Sequence, residues 1–126
     1  MREMGLRTVI YTVPDLEAGK RWYAQAFQTG PYFDDGSYVG FNIGGYELGL
    51  MAGEAASPDA PLNVRAYWGV EDMGAEVARL LALGAGQVEA PVNVGGPIVV
   101  AMLRDPWGNG LGLIHNPLFQ AGQAAP

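Results

Sequence analysis

The chain has 126 residues, 49% of them apolar, which is enough for one ordinary core and too little for two independent domains. A formal charge of -6 with a single lysine argues against a phosphate-tracking surface, and the absence of cysteine excludes disulfides, thiolate nucleophiles and thiolate metal ligands. No apolar run approaches the roughly 20 residues of a membrane span and no leader-like segment opens the chain, so a cytoplasmic protein without nucleic-acid or membrane partners is expected.

The first predicted element is an apolar strand over 6–13, stopped by Pro14. Asp15 follows as a helix N-cap, its carboxylate placed to accept the free amides of the first turn. A helix is predicted over 16–27, with Leu16, Tyr23, Ala26 and Phe27 on one face and Glu17, Lys20 and Arg21 towards water. Gly19 weakens that helix, which points to close packing there. Strands are predicted at 32–33, 38–43 and 46–51, separated by the turn signals Asp34-Asp35-Gly36 and Gly44-Gly45. Residues 52–62 lose periodicity, gather Ala, Pro and Ser, and read as a linker.

The pattern then repeats. Residues 6–16, L-R-T-V-I-Y-T-V-P-D-L, are restated 57 positions on by N-V-R-A-Y-W-G-V-E-D-M, and Gly45 to Leu50 is restated 63 positions on by Gly108 to Leu113. The second copy predicts a strand over 64–70, Asp72 as N-cap, a helix over 73–83 with Met73, Val77, Leu80 and Leu81 inward, and Gly84 as its stop. Strands follow at 87–89, 98–103 and 110–114, with a tight turn over 105–109 and a surface tail from 116 to 126. The organisation is one domain: a first module over about 5–51, a linker over about 52–62 and a second module over about 63–115.

Three motifs in this order, V-P-D-L-E-A-G-K-R-W-Y, V-E-D-M-G-A-E-V-A-R-L-L-A-L-G and D-P-W-G-N-G-L-G-L-I, together with the duplication, resemble the vicinal oxygen chelate superfamily. That superfamily contains glyoxalase I, the bleomycin-resistance proteins, fosfomycin-modifying thiol transferases and extradiol dioxygenases. The resemblance implies an α+β fold of two βαβββ modules forming a cupped mixed sheet with helices on the outer face, usually within a homodimer. It also implies a divalent metal in the enzymes, held by histidines at the positions of Thr8 and Arg65 and by carboxylates at those of Gly49 and Gly112. None of these four residues supplies such a ligand: threonine is a poor neutral donor, glycine has no side chain, and arginine is a permanent cation. No metal or other cofactor is therefore expected. The sole histidine, His115, lies three residues beyond Gly112, an odd offset that turns it to the opposite face of its strand.

The same alternation predicts the cup lining: Thr8, Ile10 and Thr12; Glu47, Gly49 and Met51; Arg65, Tyr67 and Gly69; Gly110, Gly112 and Ile114. Val9, Tyr11, Leu48, Leu50, Trp68, Leu111 and Leu113 belong to the opposite, core face. Ligand contacts are expected from Thr8, Ile10, Glu47, Gly49, Arg65, Tyr67, Trp107 and Gly112, with the two glycines enlarging the cup and Trp107 standing as a lid or packing on a neighbouring subunit. Glu47 and Arg65 are the only charged residues in these phases, and they pair across the cavity or each take a ligand group. The expected function is metal-independent binding of a small molecule, in the manner of the bleomycin-resistance proteins, sequestering a drug or metabolite. The alternative is a lyase, isomerase or dioxygenase of the same superfamily, with Glu47 as a base and Arg65 stabilising an enolate as the only catalytic candidates.

Overall fold

A computed structural model of the chain describes residues 3–121. The element order is β1 (Thr8–Val13), α1 (Leu16–Phe27), β2 (Phe33–Asp34), β3 (Tyr38–Ile43), β4 (Tyr46–Ala52), β5 (Tyr67–Gly69), α2 (Met73–Ala82), β6 (Gly86–Gly95), β7 (Ile98–Arg104) and β8 (Gly110–His115). These form two four-stranded mixed sheets, β1-β4-β3-β2 and β5-β8-β7-β6. In each, the first strand of the module runs parallel to the last and the remaining pairs are antiparallel. The fold is α+β, two βαβββ modules of identical topology.

Each helix begins as the sequence predicts. Asp15 accepts from the Ala18 amide at 3.1 Å, and Asp72 accepts from the Ala75 amide at 3.0 Å. Gly19 is buried because α1 lies directly on β1: an added Cβ would stand 2.7 Å from a methyl of Val13. The second helix ends one residue early, with Leu83 as its C-cap and Gly84 beyond it at φ +106°, a conformation glycine adopts without steric cost.

The core lies between the two helices and the sheets. Tyr11, Leu48, Leu50, Trp68, Leu111 and Leu113, all on the face predicted to be inward, are buried together with Tyr23, Val77 and Leu80 from the helices. Full burial of one such leucine is worth about 1.5–3 kcal/mol. Aromatic rings join the modules: Phe27 meets Trp68 edge-on at 5.4 Å and the Trp68 indole N–H donates to the Tyr11 hydroxyl at 3.1 Å, while Tyr11 stacks on Tyr23 within the first module. The 105–109 turn adds a polar anchor. Buried Asp105 accepts from the Tyr23 hydroxyl at 2.6 Å, from the Trp107 and Asn109 backbone amides at 2.9 Å each and from the Asn109 side-chain amide at 2.8 Å. Asn109 also donates to the Thr12 carbonyl at 2.8 Å, which ties the turn to β1.

Several predicted boundaries change. The strand expected over 6–13 begins at Thr8, and that over 64–70 contracts to Tyr67–Gly69, so Arg65 precedes its strand. The strand expected over 87–89 is ten residues long; Pro91 and three register irregularities along its pairing with β7 interrupt the alternation that marks a strand in sequence. Leu81 is exposed instead of inward, whereas Trp22, not predicted to be inward, is buried and donates its indole N–H to the Leu83 carbonyl at 2.7 Å. The linker is fastened along the second module: the Ala56 amide donates to the Trp107 carbonyl at 3.0 Å, and the Arg104 guanidinium donates to the Ala60 carbonyl at 2.6 Å. Leu118 and Phe119 of the tail are exposed, and its residues 122–126 lie outside the described residues.

Candidate functional site

The parallel pairing of β1 with β4 sets Thr8 opposite Glu47, Ile10 opposite Gly49 and Thr12 opposite Met51. The β3–β4 hairpin, turning at Gly44 and Gly45 with φ of +59° and +92°, adds Asn42, Gly40 and Tyr38 to the same three rows. The result is a polar row of Thr8, Glu47 and Asn42, a middle row with glycine at both 49 and 40, and an outer row of Thr12, Met51 and Tyr38.

The paired glycines explain the side-chain arrangement. The Tyr38 phenol lies over Gly49, its Cζ 2.6 Å from where a Cβ would stand, and a Cβ on Gly40 would meet Glu47 Oε2 at 2.9 Å and the Tyr32 ring at 3.0 Å. The expected enlargement of the cup at Gly49 is therefore corrected, because the space is filled by tyrosine. On this bed Glu47 accepts three hydroxyl donors: Thr8 at 3.0 Å and Tyr38 at 2.7 Å on Oε1, and Tyr32 on Oε2. Hydrogen bonds from Tyr32 first, then Tyr38, and also Thr8, hold the Glu47 carboxyl below the usual carboxylate range against the opposing effect of burial. Burial first, and then the bond to Glu47, pushes the Tyr38 phenol up to about 12. The sequence expectation included Glu47 and Thr8 but not Tyr32, Tyr38 or Gly40. A signal for the register exists: Gly40 lies four residues before Gly44, and Gly49 four after Gly45, so a two-residue turn must place them opposite each other.

The second module is filled at the equivalent point. A Cβ on Gly112 would meet the Ala66 carbonyl at 2.5 Å, a Tyr67 ring carbon at 2.7 Å and the Met102 methyl at 3.0 Å, so this glycine does not widen the cup either. Arg65 does not pair with Glu47. It forms an ion pair with Glu89, and both side chains are about half exposed, a setting in which an ion pair contributes about 0–1 kcal/mol.

A cleft of about 990 Å³, bordered by Arg7, Tyr46, Glu47, Arg65, Tyr67 and Trp68, brings the two modules' polar groups to one opening. A smaller one of about 340 Å³ is bordered by Arg7, Thr8, Tyr32, Asn42 and Glu47. Ile10 borders neither and stands half exposed on the open sheet face. Trp107 is no lid: it packs against the core with its ring edge-on to Trp22 at 6.1 Å, because the 105–109 turn is drawn inward by Asp105. His115 places Nδ1 3.0 Å from the Val70 carbonyl, a tether between β8 and the end of β5.

The residues do not fit a divalent metal. Thr8, Gly49, Arg65 and Gly112 supply no carboxylate or imidazole, the spaces above both glycines hold tyrosine rings, and no group of three or more His, Cys, Asp or Glu among the described residues could hold a metal ion. Among the same residues no helix is long and apolar enough to cross a membrane.

Two βαβββ modules with a shared core, each turning one sheet face outward, define a paired-module fold. Residues 8–114 match the glyoxalase-like domain, and the chain belongs to that family. Among solved structures it is similar to the fosfomycin resistance protein FosX of Listeria monocytogenes, with 18% identity, 93% of this chain and 94% of that one covered, and a TM-score of 0.78. It is also similar to a glyoxalase/bleomycin resistance protein of Albidiferax ferrireducens T118, with 22% identity, 89% and 98% covered and a TM-score of 0.67. A third is a glyoxalase/bleomycin resistance protein/dioxygenase family enzyme of Burkholderia phytofirmans PsJN, with 18% identity, 86% and 95% covered and a TM-score of 0.71. At these identities the likeness is one of fold. No match was found among curated proteins.

Proposed function

We propose that this chain is a metal-independent small-molecule binding protein of the glyoxalase/bleomycin-resistance type that sequesters a drug or metabolite in the cytoplasm, working as a homodimer. One observation carries the reading: the charged group on the first module's open sheet face is a carboxylate held ionised by three hydroxyls, on a scaffold whose four metal positions offer no carboxylate or imidazole. Thr8, Glu47, Arg65 and Tyr67 border the clefts and are the proposed ligand contacts, with Ile10 beside them on the sheet face. The dimer is supported by Val88, Val92 and Val94 of β6, each about half exposed, which a second copy would cover.

The geometry disfavours the lyase or isomerase alternative. A general base near neutral pH is most effective with a raised pKa, whereas Glu47 is held low, and the Arg65 expected to stabilise an enolate is occupied by Glu89. A related Listeria FosX variant was solved with Mn(II) and a dihydroxypropylphosphonic acid. An anionic ligand of that kind would meet repulsion at Glu47.

Native mass spectrometry of the purified protein, before and after a chelator, tests the reading. A dimer without metal, carrying a co-purified organic mass, is the expected result. One chelatable divalent ion per subunit would overturn it and direct work to a metal-dependent reaction.

A further inference from the structure

Glu47 is unusual in what it lacks. Among the described residues no lysine, arginine or histidine nitrogen comes within 4.0 Å of it, whereas the half-buried Glu76 pairs with Arg79; buried Asp105 also lacks a cation, but four neutral donors, two on each oxygen, fill it. Three neutral hydroxyls position the carboxylate without cancelling its charge. The lone pairs can be counted. A carboxylate offers about four acceptor sites. Oε1 accepts from Thr8 and Tyr38, while Oε2 accepts only from Tyr32, which leaves one site on Oε2.

Aromatic surface adjoins Oε2 on the Tyr32 side and continues beyond it. The Tyr32 ring lies against Gly40 beside Oε2 and is 63% exposed, and Phe33, 45% exposed, stands 6.3 Å from the Tyr38 ring. Ring faces attract cations and apolar bodies alike. Further along the same sheet face, Ile10 in the middle row and Met51 in the outer row are 50% and 45% exposed. Charge lies at one end and open apolar surface along the other rows, so the face has a direction.

We infer that this face binds an organic ammonium ion, a protonated amine on a planar apolar body. Glu47 Oε2 takes one N–H, the Tyr32 ring flanks the charge, and the body lies against the Tyr38 ring that covers Gly49, towards Ile10 and Met51. This inference rests on the reading of the site as one that binds without a metal, and it names the ligand class. A purely structural Glu47, fastening Tyr32 and Tyr38 to the sheet, would show no preference for a cation.

The test uses two probes of the same shape, 2-naphthylmethylammonium and neutral 2-naphthylmethanol, titrated calorimetrically into the full chain near neutral pH. The ammonium should bind at least about tenfold more tightly, the lower end expected of a hydrogen bond to a charged group. In Glu47→Gln the ratio should fall to within about threefold while the alcohol's affinity is kept, which also reports that the variant is folded. Should that variant not fold, chemical-shift changes in the wild-type protein locate the ammonium, with the largest expected at Thr8, Tyr32 and Glu47. Equal affinities for the two probes, no binding of either, or shifts centred elsewhere would overturn the inference. Equal affinities that survive a chelator leave the metal-independent binding reading standing, whereas binding lost to a chelator and restored by Mn(II) overturns both.

Discussion

Replacing Asp105 by alanine tests whether the 105–109 turn holds the modules together. The carboxylate serves four donors: the Tyr23 hydroxyl, the backbone amides of Trp107 and Asn109, and the Asn109 side-chain amide. A buried donor left without an acceptor costs about 1–3 kcal/mol. Tyr23 is fully buried while Asn109 is only partly so and can turn to water, so two or three stranded donors give a loss of about 3–5 kcal/mol. Urea unfolding is the assay. With a slope of about 1–3 kcal/mol per molar for a small protein, the midpoint should fall by roughly 2 M while the slope stays constant. Tyr23→Phe removes one donor and leaves Asp105 three, so it should cost only about 1–1.5 kcal/mol. The double variant should be more stable than the sum of the single losses implies, by about 1 kcal/mol or more, because the two share one bond. An Asp105→Ala loss below about 1 kcal/mol, or strict additivity with Tyr23→Phe, would refute the account of this turn as an anchor.

Two further outcomes follow from the first sheet. Gly49→Ala should drive the Tyr38 phenol off its bed, at a cost of about 1–3 kcal/mol for overpacking, and an ultraviolet titration should find the phenol moved from about 12 back towards 10; an unchanged Tyr38 titration would show that the ring does not depend on the bare glycine. Glu47, Asp34 and Asp35 all have depressed folded pKa values, so between the ordinary carboxylate range and those lower values the unfolded chain binds more protons than the folded one. Their stabilisation is therefore present above about pH 4–5 and lost as pH falls through the folded values. Glu47→Gln should flatten that acid limb in urea midpoints measured across it, and an unaltered limb would contradict the three-hydroxyl account.

Local chemistry and alternation made much of this fold legible. Asp15 and Asp72 cap their helices, Gly84 ends the second, and the inward phase of Tyr11, Leu48, Leu50, Trp68, Leu111 and Leu113 is observed as core. What stayed hidden depends on contacts between elements. Trp22 is inward only because the end of α2 offers it the Leu83 carbonyl, and β6 is masked by Pro91 and its irregular pairing. At the site, the row containing Glu47 was readable, but its partners needed the register of β3 against β4 and the reach of two tyrosines. Arg65 illustrates the opposite failure: the phase drew it towards Glu47, while Glu89, on a strand recognised only in part, is its actual partner.

Gly45 and Gly108, equivalent residues of the two copies, both hold φ at +92°. Around Gly45 an added Cβ would meet open space, but at Gly108 it would strike the Ala56 carbonyl at 2.5 Å, because the linker crosses there, and farther along Leu62 lies against Gly110 in the same way. The duplication has thus kept its geometry while losing its equivalence. One copy carries the strap and is committed to holding the chain together. The other meets the strap only at its start, where Gly53 donates to the Val13 carbonyl and lies beside Thr12, so most of its sheet face carries none of the joint between the halves.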